Sequence, residues 1–126
     1  MFEPTLTKVH EDSRGAMYSI ALPGDRELMI LHSKAGSLRG GHSHDVPEAI
    51  LVLDGKLVYH KVGPDGEYIE ELTGGDTDFH PPGDIHMGEF PEDTWLLEWK
   101  ICRDKHSWKN TNHEPMRAKV RANAGG

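Results

Sequence analysis

Glycine and proline interrupt this chain every ten or so residues, and that punctuation constrains its fold more than any other feature. The 14 Gly and 8 Pro leave short extended runs between them, at Leu6–His10, Ala16–Leu22, Leu28–His32, Ala49–Leu53, Leu57–Val62, Tyr68–Leu72, Asp84–Phe90 and Trp95–Ile101. Helix signals are nearly absent. Short strands at regular spacing with turn residues between them predict an all-β sandwich or barrel. Asp54-Gly55 and Gly63-Pro64-Asp65-Gly66 each lie between two apolar runs and predict hairpins. In the last run Trp95, Leu97, Trp99 and Ile101 alternate with Leu96, Glu98 and Lys100, and the first set is expected to line the barrel interior.

With 126 residues the chain makes one ordinary domain that can bury a core without covalent staples. Its formal net charge of −7 disfavours nucleic acid as a partner, because a phosphate backbone demands a basic face. No apolar run approaches the roughly 18–20 residues that span a bilayer, so no membrane partner is expected. Met1-Phe2-Glu3-Pro4 lacks the basic flank and apolar stretch of a signal peptide, and the expected location is cytoplasmic. The single Cys102 rules out an internal disulfide framework and a Cys-based zinc site. From Arg103 onward the character changes, since Arg103, Lys105, Lys109, Arg117, Lys119 and Arg121 face only Asp104 and Glu114. Residues 1–102 are therefore expected to form the barrel, and 103–126 a basic, partly flexible tail that packs loosely or exchanges with a second subunit and frays over its last five residues.

Nine histidines are the outlying count, and three of them fall into a pattern with an acid. His42 and His44, two apart, project from one face of a strand. Glu48 follows four residues later, and His86 comes after Pro81-Pro82-Gly83, a turn able to bring it back. Three imidazoles and a carboxylate suit a divalent transition metal (Mn, Fe, Ni, Co or Zn) better than Ca or Mg. On an octahedral ion these four ligands leave two positions for water or substrate.

In this region the chain resembles the cupins. Gly36, His42, His44, Glu48 and Gly55 stand at the spacings of their first motif, and Gly75, Pro81, Gly83 and His86 at those of their second. Phe90 departs from the Asn that closes the second motif, which is not a metal ligand in the family. Nineteen residues separate the two motifs. The resemblance implies a double-stranded β-helix, or jelly-roll barrel, with a metal held by His42, His44, Glu48 and His86 inside its open end.

Asp12-Ser13-Arg14-Gly15 and Arg39-Gly40-Gly41-His42-Ser43-His44, with the later His86, Phe90, Asp93 and Trp95-Leu96-Leu97, are also similar to small cupins that isomerise nucleotide-linked keto-sugars. Glu48 departs from that group, which lacks the full metal set. Three further residues are candidates for substrate chemistry. Tyr59 and His60 lie on opposite faces of one strand, so only one of them can point inward. His80 is either a base at the barrel mouth or a turn histidine exposed to water. Arg39 can clamp a carboxylate or phosphate through its planar fork, and Trp95 and Trp99 are candidates for the cavity wall. The expected protein is a metal-dependent enzyme on a small oxygenated molecule, most simply a sugar or sugar-nucleotide isomerase or epimerase with His80 or Tyr59 as base. The alternatives are an Fe(II) dioxygenase and a non-catalytic metal- or sugar-binding module. Edge strands needing cover make a homodimer the expected assembly.

Overall fold

A computed structural model describes residues 5–124. Met1–Pro4, on which the expected absence of a leader rests, and Gly125–Gly126 of the expected frayed end lie outside the described residues.

Among the described residues, eleven strands form two antiparallel sheets facing one another. The first six are β1 (Leu6–Asp12), β2 (Gly15–Leu22), β3 (Arg26–Ser33), β4 (Ser37–His44), β5 (Glu48–Asp54) and β6 (Lys56–Gly63). After them come β7 (Gly66–Thr73), β8 (Thr77–His80), β9 (Ile85–Phe90), β10 (Thr94–Lys100), β11 (Asn110–Asn112) and a helix, α1 (Glu114–Ala124). One sheet runs β1-β2-β3-β10-β5-β8 and the other β11-β4-β9-β6-β7. The chain is an all-β jelly roll: the spacing of its turns predicts the all-β class, and the resemblance to cupins implies the jelly roll. Its core lies between the sheets, where Leu31, Ile50, Val52, Leu57, Tyr59, Leu72, Phe90 and Leu96 pack together.

Of the two expected hairpins, Gly63–Gly66 forms one, joining β6 to β7 in register. Asp54-Gly55 does not. It carries the chain from one sheet to the other, since β5 pairs with β10 and β8 while β6 pairs with β7 and β9. The corner is held by Thr94, whose Oγ1 accepts from Lys56 N at 3.0 Å and donates to Lys56 O at 3.0 Å. Gly55 has φ +102°, and a Cβ there would meet Thr94 Oγ1 at 2.4 Å, so the crossing needs glycine.

The expected interior face of β10 is also reversed. Thr94 and Leu96 are buried, and Glu98 and Lys100 continue that face into the barrel mouth. Trp95 is 39% exposed and stacks on His32, while Leu97 and Trp99 turn to an outer groove with Leu28, Met29 and Leu51. Alternation located the strand, but its apolar side covers the outside because the mouth of this barrel is polar.

The segment beyond residue 102 contributes ordered elements. β11 pairs with β4, placing Asn110 opposite His44 and Asn112 opposite His42. α1 lies on the outer face of the same sheet, burying Met116 and Val120 against Met87 with Leu38, Val62 and Ile85 around them. Its start carries recognisable signals: Met116 N donates to His113 Nδ1 at 3.2 Å, and Glu114 and Pro115 occupy the first turn. The helix runs through Ala122 to Ala124, where a frayed end was expected.

Candidate metal centre

Strand register brings the four motif residues to one place. His42 and His44 sit at the end of β4, and His86 lies directly opposite His42 on β9. A bulge between Gly40 and His42 adjusts that pairing, with Gly40 at φ +97° and Gly41 at φ +78°. Glu48 arrives by a different route from the one its spacing suggests: the chain turns after His44 and changes sheet, so Glu48 opens β5 and faces the histidines across the barrel. The Pro81–Gly83 turn carries the chain back from β8 to β9 and is pinned by Gly83 N donating to His44 O at 2.8 Å.

One ring nitrogen from each of His42, His44 and His86 lies within 4.8 Å of the others. Glu48 closes the cluster, with Oε2 3.8 Å from His44 Nδ1 and Oε1 3.5 Å from His86 Nε2. His44, Glu48 and His86 are each at most 4% exposed, so a missing partner here is costly. Yet His44 Nδ1 and His86 Nε2 have no hydrogen-bond partner. His86 Nδ1 lies 3.1 Å from the Asp84 carbonyl and donates to it, which leaves the Nε2 lone pair directed at the cluster. Orphaned, convergent donors of this kind fit a divalent transition metal, and the cluster can hold one.

Electrostatics agree with that fit. Burial, with help from nearby Lys100, pushes His42 down to about 4 and His44 to about 3, and burial beside the other imidazoles takes His86 lower still. The imidazoles are thus kept neutral, the form that ligates. Burial, then the charge of Glu98, pushes the Glu48 carboxyl up to about 8, against the pull of Lys100, whose Nζ lies 3.0 Å from Oε2. Despite its own burial, Lys100 is held above the usual lysine range by Glu98 and Glu48, and it lies 4.2 Å over the Trp108 ring.

The cluster opens onto a cavity of about 870 Å³. Tyr59 lines it, while His60 on the opposite face of β6 pairs with Glu89 at 2.9 Å. Burial, Glu48 and Glu98 push the Tyr59 phenol well above its usual value, so it stays protonated. Arg39 lines the cavity too; it is 8% exposed, and its polar partners are the neutral Ser33 Oγ at 2.8 Å and the His32 carbonyl at 3.3 Å. Arg14, tied to Asp12 at 2.6 Å, Lys100, Arg117 and Arg121 add positive charge to the wall, against Asp12 and Glu98. His80 is neither at the mouth nor in a water-exposed turn: it ends β8, is 1% exposed, and stacks behind His86 with ring centroids 3.9 Å apart. Trp95 and Trp99 face outward, and the aromatic wall is Trp108, edge-on to His44 at 5.3 Å. Lys100, Glu98 and Trp108 escaped the sequence reading because the first two were placed on the outer face of β10 and the third in a loose tail.

Among solved structures the chain is similar to the capsular polysaccharide assembling protein CapF from Staphylococcus aureus, with 21% identity and a TM-score of 0.67 over 90% of this chain and 33% of that one. It is also similar to the oxalate decarboxylase of Lactobacillus farciminis in its formate complex, with 17% identity and a TM-score of 0.69 over 93% and 35%. Tomato vicilin matches at 13% identity and a TM-score of 0.66 over 83% and 33%. The chain folds as a cupin. No protein-family model matches the sequence, and no curated protein matches it significantly. This cupin spans about a third of the length of the structures it matches, and at these identities the likeness establishes the fold alone. The neighbours lend no support to the similarity with sugar ketoisomerases, which rests on the residues quoted for it. No helix among the described residues is long and apolar enough to cross a membrane.

Proposed function

We propose that this cupin is a metal-dependent isomerase or epimerase acting on a small oxygenated metabolite with an anionic group, a sugar nucleotide being the class that fits best. The observation that carries the reading is the cavity: a cluster of metal donors at one point of its wall, and Arg14, Arg39 and Lys100 around the rest of it, in a chain whose net charge is −7. His42, His44, Glu48 and His86 would hold the metal, and when bound it would supply Lewis acidity to a substrate carbonyl. Arg39 offers its unpaired N–H groups to a phosphate or carboxylate and fixes the orientation of the substrate. The Glu98 carboxylate, facing the cavity, would take a proton from the carbon beside the carbonyl while the Tyr59 phenol gives one to the carbonyl oxygen. Glu98 would then return its proton to the former carbonyl carbon and Tyr59 recover one from the neighbouring hydroxyl, which restores both groups. Lys100 steadies negative charge that develops on the substrate oxygen. His80, expected as the base, acts from behind the cluster and does not touch substrate.

The test loads the purified chain with Mn, Fe, Co, Ni or Zn and incubates it without oxygen with keto-sugars and sugar nucleotides. The reading expects conversion without oxygen uptake, and loss of conversion in Glu98→Gln and Tyr59→Phe with metal content unchanged. A second reading, an Fe(II) dioxygenase, is favoured by a three-histidine, one-carboxylate shell that leaves two positions open on an octahedral ion. It predicts oxygen uptake in proportion to product. Metal binding without turnover in either assay would leave a binding module. The chain is further proposed to act in the cytoplasm, and as a homodimer, since two of its four edge strands, β1 and β7, expose Leu6, Val9 and Ile69; sedimentation as a strict monomer at micromolar concentration refutes the dimer.

A further inference from the structure

Behind the metal cluster the barrel holds a second run of polar side chains that neither the donor set nor the cavity wall employs. Lys61, on the inward face of β6, is 2% exposed, with Nζ 2.5 Å from Asp78 Oδ2 and 3.1 Å from Glu70 Oε2. β6 and β8 belong to different sheets, so the Lys61–Asp78 pair clasps one sheet to the other. Two residues along the same face of β8 stands His80. Its Nδ1 is 4.0 Å from Asp78 Oδ2, and its Nε2 is 3.9 Å from Oε1 of Glu48, its cross-strand partner. Neither ring nitrogen has a hydrogen-bond partner. Apolar side chains would fill this space without the desolvation cost of a buried lysine, aspartate and histidine, so a purely structural role explains the chain poorly.

His80 is close enough to Glu48 and His86 to be taken for a ligand, since one donor atom from each lies within 4.8 Å of the others. The ring geometry argues otherwise. The His80 and His86 planes are parallel to within 1° with centroids 3.9 Å apart. An imidazole lone pair lies in its own ring plane, so one ion cannot lie in both planes at once. What His80 Nε2 does face is the Glu48 carboxylate.

We propose that His80 is a positioning residue: anchored by the Lys61–Asp78 pair, it hydrogen-bonds Glu48 Oε1 and backs the His86 ring, fixing both groups for the metal. The inference rests on the reading of Glu48 and His86 as ligands. Each separation exceeds hydrogen-bond length by about 1 Å, and because the two carboxylates lie at opposite ends of a ring with one N–H, the contact that closes is the one with Glu48, while Asp78 acts on His80 through its charge. Partners of this kind set the orientation and basicity of a ligating group, and losing one weakens metal binding by about 10–100-fold.

The experiment measures Co(II) affinity by competition, together with the visible absorption spectrum of the Co(II)-loaded chain. His80→Phe keeps an aromatic ring against His86 but removes both nitrogens; it is expected to weaken binding by about 10–100-fold and shift the spectrum. His80→Gln, which restores a side-chain N–H donor, is expected to recover most of the affinity, and Asp78→Asn to lose part of it. A merely structural role moves the unfolding midpoint and leaves affinity and spectrum alone. If His80→Phe does not fold, Asp78→Asn decides with the same two readouts. Unchanged affinity and spectrum overturn the proposal while the ligand assignment stands. A loss in His80→Gln as large as in His86→Ala makes His80 a ligand and overturns it too, whereas no Co(II) binding by the wild type removes the ligand assignment and the inference together.

Discussion

At the scale of single residues, the cluster couples proton and metal binding in opposite senses. His42 and His44 titrate at about 4 and about 3 in the fold, against 6.5 in an unfolded chain. Below pH 6.5 the unfolded state therefore binds more protons, and stability falls with falling pH. Glu48 runs the other way: raised from 4.5 to about 8, it binds a proton more tightly in the fold, and its contribution is lost as pH rises through 8. The metal-free chain is thus expected to be most stable between about pH 6.5 and pH 7, where the histidine gain ends and the Glu48 loss takes over. Because a metal needs the Glu48 carboxylate ionised, loading should raise the unfolding midpoint more at pH 8 than at pH 6. Thermal unfolding of the metal-free and metal-loaded chains across this range checks both; a metal increment independent of pH, or unchanged in Glu48→Gln, would refute the coupling. His42, His44, Glu48 and His86 were legible in the sequence because strand register converts fixed spacing into proximity. Lys100, Glu98 and Trp108 were not, because which face of β10 turns inward depends on the opposite sheet and on the segment after residue 102 that carries Trp108.

At the scale of elements, the missed helix is instructive. Glu114-Pro115 reads as a break in a chain full of turns, yet proline in a first helical turn costs little, and Met116 and Val120 stand four apart on one face. What made α1 hard to see is that, among the residues whose burial is described, Met116 and Val120 are the buried ones; its stability comes from the sheet beneath it and little from its own sequence. Met116→Ala is accordingly expected to cost about 2–5 kcal/mol in denaturant unfolding while metal content is retained. A loss below about 0.5 kcal/mol, the level of surface substitutions, would show that α1 is not docked as described. The helix also reaches the site-bearing strand, because Arg117 Nε donates to Gly40 O at 3.0 Å and its side chain crosses Gly41. A Cβ on Gly41 would lie 2.3 Å from Arg117 Cγ, at a φ that side chains other than glycine avoid. Gly41→Ala should therefore destabilise the chain, and by less when Arg117 is already alanine, since the clash is then relieved and only backbone strain remains. Equal penalties in the two backgrounds, compared through a double-mutant cycle, would contradict this packing.

For the whole molecule, the distribution of charge says more than its sum. The net charge is −7, yet several cations line the cavity: Arg14, Arg39, Lys100, Arg117 and Arg121. Arg39 is the decisive one. A guanidinium that is 8% exposed and bonded only to Ser33 Oγ and the His32 carbonyl has given up much of its hydration for neutral partners. Burial and the neighbouring Arg14 accordingly hold its pKa below the usual arginine value. An anionic group in the cavity would relieve both costs through charge-assisted hydrogen bonds worth about 1.5–3 kcal/mol each. Millimolar pyrophosphate or citrate is therefore expected to raise the unfolding midpoint of the wild type, with an effect that shrinks as salt is added. Arg39→Gln, which keeps the hydrogen bond to Ser33 and removes the charge, should weaken that stabilising affinity by at least about tenfold and leave metal binding intact. Undiminished anion binding in Arg39→Gln would place the anion elsewhere and leave Arg39 a structural residue; no anion binding by the wild type would turn the substrate assignment toward neutral sugars.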